Sequence, residues 1–402
     1  MSVFPKIILS SGKDQSLRRF HPWVFSGAIK KVKDKIELKD GEVVEVYDNK
    51  DEFLGIGHYQ DSSIAVRIFS FDKIVPTKDF WREKISKAYE FRNNIDLANS
   101  AHTNCYRLVF GEGDGLPGLI IDYYNGTCVL QCHSIGMHKV RKEISEALQD
   151  VYGDKLVAVF DKSTETLPKK YAEGLKNEYL FGRGSDDNHI VKENDINFWV
   201  DWKSGQKTGF FLDQRENRQM LSHYCEGKKV LNTFCYTGAF SLYAMKAGAK
   251  LVHSVDSSSR AIDLVKKNFQ LNSPPEAGDW EGAHYCSDVF DFLKGKNNFY
   301  DVMILDPPAF AKHHDVRHNA VMGYKRLNIE AFKQIKSGGI IFTFSCSQVI
   351  DRPLFEKTIM SAAIIAGRNV RVLHLLSQAP DHPANIFHPE GEYLKGLVLY
   401  VE

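Results

Sequence analysis

From Lys228 onward the chain repeats one pattern: a short apolar run, a tight turn, then an amphipathic stretch with helical spacing. Strands are expected at Val230–Phe234, Leu251–Val255, His284–Cys286, Val302–Leu305 and Ile340–Phe344. Helices are expected at Ala239–Ala247, Ser259–Leu271 and Lys325–Lys336, with Gly338-Gly339 as a turn. Alternation of this kind implies a doubly wound α/β domain, whose ligands bind outside the carboxyl ends of the strands. The residues at those ends are Tyr236-Thr237-Gly238, Asp256, Asp288, Asp306-Pro307-Pro308 and Ser345-Cys346-Ser347.

The turn after the first strand has a single glycine, so its backbone is not pared down to approach a pyrophosphate. Asp256 ends the second strand, where a carboxylate can accept both hydroxyls of an adenosine ribose. Asp288 closes the third and could orient an adenine amino group. A cofactor with adenosine and no phosphate fits this set.

The remainder of the 402 residues implies further domains. Short alternating runs at Glu42–Tyr47, Phe53–Tyr59 and Ser63–Phe69 read as a small β-barrel or sandwich. Lys6, Lys13, Arg18, Arg19, Lys30, Lys31, Lys33, Lys35 and Lys39 face only Asp14, Asp34 and Glu37, so this end is basic. The whole chain carries a net charge of only +1, which disfavours indiscriminate binding of polyanions, so any nucleic-acid role must come from a local patch.

A middle segment follows Pro76, with a helix over Asp79–Ile95, strands at Tyr106–Phe110, Gly118–Tyr123 and Thr127–Cys132, and a helix over His138–Val151. Strands at Leu156–Phe160 and Ile196–Asp201 make it a small α+β domain. Gly111, Gly113, Gly115 and Gly118 lie between strands and read as a hairpin turn rather than a phosphate loop.

Seven cysteines without a CxxC pair suggest reduced thiols. Cys128 and Cys132 alternate on one strand face, and His313, His314 and His318 fall in a polar loop, so no metal is expected. No apolar run reaches the roughly 20 residues of a membrane span, so a cytoplasmic, membrane-free protein is expected.

Leu231–Phe240 resembles the first motif of the class I S-adenosylmethionine (SAM) dependent methyltransferases, and Asp306-Pro307-Pro308-Ala309-Phe310 resembles their fourth. More narrowly, the chain is similar to the RlmI family of large-subunit ribosomal RNA cytosine-5 methyltransferases. That similarity rests on His21–Gly27, Glu112–Gly118, Thr208–Arg215, Leu305–Pro308, Thr343–Ser347, Asp381-His382-Pro383 and Tyr393–Gly396. The resemblance implies a β-barrel PUA RNA-binding domain over 1–71, an EEHEE α+β domain over 72–203 and a Rossmann-like methyltransferase domain over 204–402. It further implies 23S ribosomal RNA as partner, and a homodimer.

On this resemblance Asn232, Phe234, Tyr236, Thr237, Gly238, Asp256, Asp288 and Asp306 contact SAM. Asp213 and Arg215 stand at the entrance to the first strand, where Arg215 could pair with the methionyl carboxylate or form an ordinary surface ion pair. Cytosine C5 is a poor nucleophile until a thiolate adds at C6, which assigns Cys346 as nucleophile and leaves Cys235 as packing. Asp306 would hold the N3 and amino edge of a flipped base, with Pro307 and Pro308 stiffening the loop. Phe310 could stack on the base or fill the core; Lys325 and Arg326 could meet phosphate or start a solvated helix.

The fourth motif has Ala309-Phe310 where enzymes with two catalytic cysteines carry the second, so the base removing the C5 proton is unassigned. A methyltransferase acting on an exocyclic amine or guanine nitrogen is the runner-up. A non-catalytic RNA-binding assembly factor is the third reading.

Overall fold

The computed structural model describes residues 4–33, 37–184, 189–272, 281–295, 297–310 and 317–402. His313 and His314 lie outside the described residues. The chain forms two compact units, each built from separate stretches of sequence.

The first unit comprises Met1–Lys192, Val200–Phe210 and Pro380–Gly391. Its N-terminal part is a sheet in the order Trp23–Phe25, Ile64–Ser70, Phe53–Tyr59, Val43–Tyr47, Lys6–Leu9 and Ile29–Val32. Alternate residues point to one side, so Ile7 and Leu9, Val44 and Val46, and Val66 and Ile68 share a core. The basic end is partly neutralised, because Arg18 meets Asp14, Asp48 and Glu52 at 2.6, 2.9 and 2.7 Å.

The second sheet of this unit runs Glu178–Gly182, Ala158–Asp161, Thr127–Cys132, Leu119–Tyr124, Cys105–Phe110. Helices Lys78–Asn94 and Arg141–Tyr152 supply Trp81, Ile85, Ile144 and Leu148 to its core. The helix expected over His138–Val151 is two helices, Ile135–Lys139 and Arg141–Tyr152. The glycine-rich stretch is a hairpin connection, with Gly115 and Gly118 at φ 65° and 78°.

The expected division at 71 and 203 differs from the division into compact units. Ile56 and Phe69 of the first sheet share a core with Trp81 and Ile85, and the ring of His58 stacks on Trp81. Residues 380–391, expected within the methyltransferase domain, also belong here. The reason is a buried arginine: Arg92 binds both carboxylate oxygens of Asp114 and donates to Asp381 O at 2.7 Å. Arg107 N donates to Asp381 Oδ2 at 2.9 Å. The Glu112–Gly118 and Asp381-His382-Pro383 motifs thus meet as a structural clamp.

The second unit comprises Glu193–Trp199, Phe211–Ala379 and Glu392–Glu402. The strands of its main sheet are β1 (Lys229–Thr233), β2 (Leu251–Asp256), β3 (Glu281–Cys286), β4 (Tyr300–Leu305), β5 (Ile335–Ser345), β6 (Val370–Leu376) and β7 (Lys395–Val401). Its helices are α1 (Arg215–Ser222), α2 (Ala239–Lys246), α3 (Ser259–Asn272), α4 (Val289–Leu293), α5 (Arg317–Gln334) and α6 (Arg352–Ala366).

The sheet order is β3-β2-β1-β4-β5-β7-β6. Strands β1 to β5 pair in parallel, and β7 inserts antiparallel between β5 and β6. Both faces are buried: Leu231, Met303, Leu305 and Ile341 enter one core, while Val230, Val302, Ile304 and Phe342 enter the other. The expected turn at Gly338-Gly339 lies inside β5, where the register against β4 shifts and Gly338 takes φ 78°.

Candidate active site

The loop leaving β1 carries two non-glycine residues in the left-handed region, Phe234 at φ 54° and Tyr236 at φ 46°. Such residues persist only where their surroundings hold them. Here Asp256 Oδ2 accepts from Tyr236 N at 3.0 Å and Asp256 Oδ1 from Ser258 N at 2.9 Å. The Phe211 ring packs edge-on against Tyr236 at 5.1 Å. Thr237 O accepts from Asn268 Nδ2 at 2.9 Å, tying the loop to α3. Gly238 precedes α2 at φ 78°, and a Cβ there would come within 3.0 Å of Val265.

Asp288 at the end of β3 caps α4, its Oδ1 accepting from Phe290 N at 2.8 Å and Asp291 N at 3.1 Å. Carboxylates thus stand at the ends of neighbouring strands β2 and β3, beside a tight loop without a cationic side chain. That donor set suits ribose hydroxyls and an adenine amine and offers nothing to a phosphate. The residues present fit SAM, with Asp256, Asp288 and the Phe234–Gly238 loop placed to hold it.

Three expected cofactor positions make contacts within the protein. Asn232 is buried, and its Nδ2 donates to Ser241 Oγ at 3.0 Å, so its side chain locks β1 to α2. Asp213 lies in the turn Leu212–Gln214 and Arg215 opens helix α1, both ahead of β1 in the chain. Arg215 is buried, with its Nε 3.2 Å from the exposed Glu216. Asp213 accepts from the hydroxyl of Tyr393.

Asp306 and Cys346 follow the adjacent parallel strands β4 and β5, which pair Leu305 with Thr343. Gln214 Nε2 donates to Asp306 Oδ2 at 3.0 Å. Asn217 Nδ2 donates to Gln214 Oε1 at 2.6 Å, which fixes the amide so that its nitrogen faces Asp306. Tyr324 of α5 is buried near both groups. Burial pushes its hydroxyl up, and the charges of Cys346 and Asp306 both push the same way. Pro307 is buried and Pro308 exposed, so the loop is anchored on one side only.

Phe310 packs edge-on against Tyr324 at 4.8 Å, and a Cβ on Gly323 would come within 3.0 Å of its ring. Its contacts therefore join the loop to α5. Arg326 stands over the Phe290 ring at 4.5 Å, on the Asp288 side, and Lys325 is half-buried. Of the seven cysteines five are buried, Cys286 is exposed and Cys346 is intermediate. Burial pushes the Cys235 thiol well up, which keeps it an unreactive packing group.

Gln214, Asn217, Tyr324 and Lys395 were not singled out by sequence reasoning. Gln214 lies inside the Thr208–Arg215 motif and Lys395 inside Tyr393–Gly396, so motif membership was the available signal for those two.

Residues 7–71 match the PUA-like domain family, and residues 111–383 match the S-adenosylmethionine-dependent methyltransferase family. A ribosomal RNA large subunit methyltransferase I from Aeromonas salmonicida is 40% identical over 99% of both chains. A protein of the same description from Photobacterium profundum is 41% identical over 98% of this chain and 99% of its own. A solved SAM-dependent methyltransferase from Streptococcus mutans is 25% identical, with a TM-score of 0.82 over 98% of this chain and 99% of that one. A methyltransferase solved in complex with SAH superposes with a TM-score of 0.83 at 25% identity, over 98% of this chain and 99% of that one. Among the described residues no helix is long and apolar enough to cross a membrane. The strand-end acids, the strained β1 loop and these likenesses converge: the chain belongs to the ribosomal RNA large subunit methyltransferase I family of SAM-dependent methyltransferases.

Proposed function

We propose that the protein methylates C5 of a cytosine in large-subunit ribosomal RNA, with Cys346 as covalent nucleophile. The observation that carries this reading is the placement of Asp306 and Cys346 at the ends of adjacent parallel strands, near the buried Tyr324. The names of the relatives support ribosomal RNA as the substrate class.

The Cys346 thiolate adds to C6 of the flipped cytosine, and the electron pair released from the C5–C6 double bond makes C5 nucleophilic. Asp306, oriented by Gln214, holds the N3 and amino edge, and a proton placed toward N3 draws charge from the ring as C6 is attacked. Bound SAM supplies an electrophilic methyl group on a sulfonium. C5 takes the methyl with the neutral thioether as leaving group; the C5 proton then passes to solvent, and its electron pair restores the C5–C6 double bond as the Cys346 thiolate is expelled.

Pro307 and Pro308 keep the Asp306 loop short and stiff beside the base, and Lys325 is placed one residue from Tyr324 to meet RNA phosphate. Residues 1–71 act as the RNA-gripping module, most of 72–203 as the middle domain and most of 204–402 as the catalytic domain, with 380–391 belonging to the first unit. Incubating the enzyme with SAM and ribosomal RNA, then digesting the product to nucleosides, tests the reading. It predicts 5-methylcytidine. An N-methylated nucleoside transfers the assignment to a nitrogen methyltransferase, and absence of any methyl transfer supports an assembly factor.

The protein acts as a homodimer. The support is an apolar edge: Val372, Leu373 and Leu375 of edge strand β6 and Met360 and Ile364 of α6 are exposed. Light scattering is expected to give twice the chain mass, and Leu375→Lys to give the monomer mass.

A further inference from the structure

Lys395 is 4% exposed and lies opposite Ser345 in the antiparallel pairing of β7 with β5. A lysine so buried needs compensation. Its Nζ donates to Tyr393 O at 2.7 Å and to Ser347 O at 2.8 Å. Both acceptors are neutral carbonyls, and among the described residues no carboxylate oxygen comes within the 4.0 Å of an ion pair. The ammonium is therefore tied to the very turn that carries Cys346, with its charge unmatched by an acid.

Burial pushes Lys395 down to about 8, and the strongest influence favouring its charged form is Cys346, ahead of Glu392 and Asp351; Arg352 acts against it. On the other side, the buried Tyr324 hydroxyl lies within electrostatic reach of Cys346 and carries no positive charge. Lys395 is thus a cation held by the turn that carries Cys346.

We propose that Lys395 is a positioning residue that holds Cys346 as a thiolate, with its ammonium fixed by the carbonyls of Tyr393 and Ser347. This inference rests on the reading of Cys346 as nucleophile. The thiol proton leaves to solvent, and the ammonium stabilises the sulfur charge until the sulfur bonds to C6. Because two carbonyls hold Nζ throughout, no side chain has to reorganise as that charge moves into the ring.

The test is alkylation of the full-length protein by iodoacetamide across pH, read by mass spectrometry on the Cys346 and Cys286 peptides. Cys286 is exposed and serves as an internal reference. In the wild type the Cys346 midpoint is expected about one pH unit or more below that of Cys286, a tenfold gain in thiolate where both are mostly protonated. Lys395→Met is expected to raise the Cys346 midpoint by about one unit or more, leave Cys286 in place and shift the pH profile of kcat to match. Lys395→Arg is expected to restore the low midpoint.

A wild-type Cys346 midpoint at or above that of Cys286 overturns the inference, and so does a midpoint that Lys395→Met leaves unmoved. The wild-type comparison stands even if Lys395→Met does not fold. Alkylation needs no RNA, so its outcome is separable from the nucleophile reading, which fails only if Cys346→Ala still transfers methyl groups.

Discussion

Gln214 donates its side-chain amide to Asp306 Oδ2 over 3.0 Å and is itself held by Asn217. The pair links the start of α1 to the end of β4, so the Asp306 carboxylate, proposed to face the base, is oriented from outside its own loop. Gln214→Leu removes the donor without adding charge. It is expected to lower kcat by about 10- to 100-fold, the effect of one hydrogen bond to a charged group, with little change in SAH affinity. Steady-state kinetics with ribosomal RNA and calorimetric titration with SAH read the two quantities separately.

Asp256 serves two roles, since its oxygens brace Tyr236 N and Ser258 N at the place where a ribose is expected. Asp256→Asn keeps the shape and loses the charge. SAH affinity is expected to fall by about 10- to 100-fold in calorimetry. An unchanged Kd would move the ribose site elsewhere.

Within the catalytic unit Arg218 binds Glu193 through Nε at 2.8 Å and Nη2 at 2.7 Å, and Tyr243 donates to the same carboxylate at 3.0 Å. Both partners are buried. Arg218→Met leaves a buried carboxylate without its cation, so urea unfolding is expected to show a loss of about 3–5 kcal/mol. Replacing both residues, Arg218→Met with Glu193→Leu, is expected to cost less than Arg218→Met alone.

His58 is packed between Phe69 and Trp81, and burial pushes it down to about 3. A folded value below the unfolded one, about 6.5, means that the unfolded chain binds the extra proton. Its contribution is therefore fully present above pH 6.5 and is lost as pH falls toward 3, by about 1.4 kcal/mol per pH unit. Unfolding free energies at pH 6.5 and 4.5 should show this slope in the wild type and a shallower one in His58→Gln.

What could be read from the sequence was local. Val230, Leu231, Ile304 and Leu305 lie in runs short and apolar enough to announce central parallel strands, and the acids after them mark the ligand-bearing edge. The place of Asn232 in the first motif says nothing of which way its side chain turns, and α2 presents Ser241 as its acceptor. Lys395 could not be placed because its partner strand is 50 residues earlier, Lys395 facing Ser345 only once β7 inserts antiparallel. The compact units were hidden for a similar reason, since Arg92 reaches Asp381 across 289 residues of chain.

The central claim is the covalent bond between Cys346 and cytosine C6. Ribosomal RNA substituted with 5-fluorocytidine lacks the C5 proton whose loss frees the enzyme, so incubation with SAM should freeze the adduct. The account predicts a denaturant-stable protein–RNA complex, its cross-link mapped by mass spectrometry to Cys346 and absent in Cys346→Ala. Methyl transfer to the substituted RNA without a stable complex, or a cross-link at another residue, would contradict it.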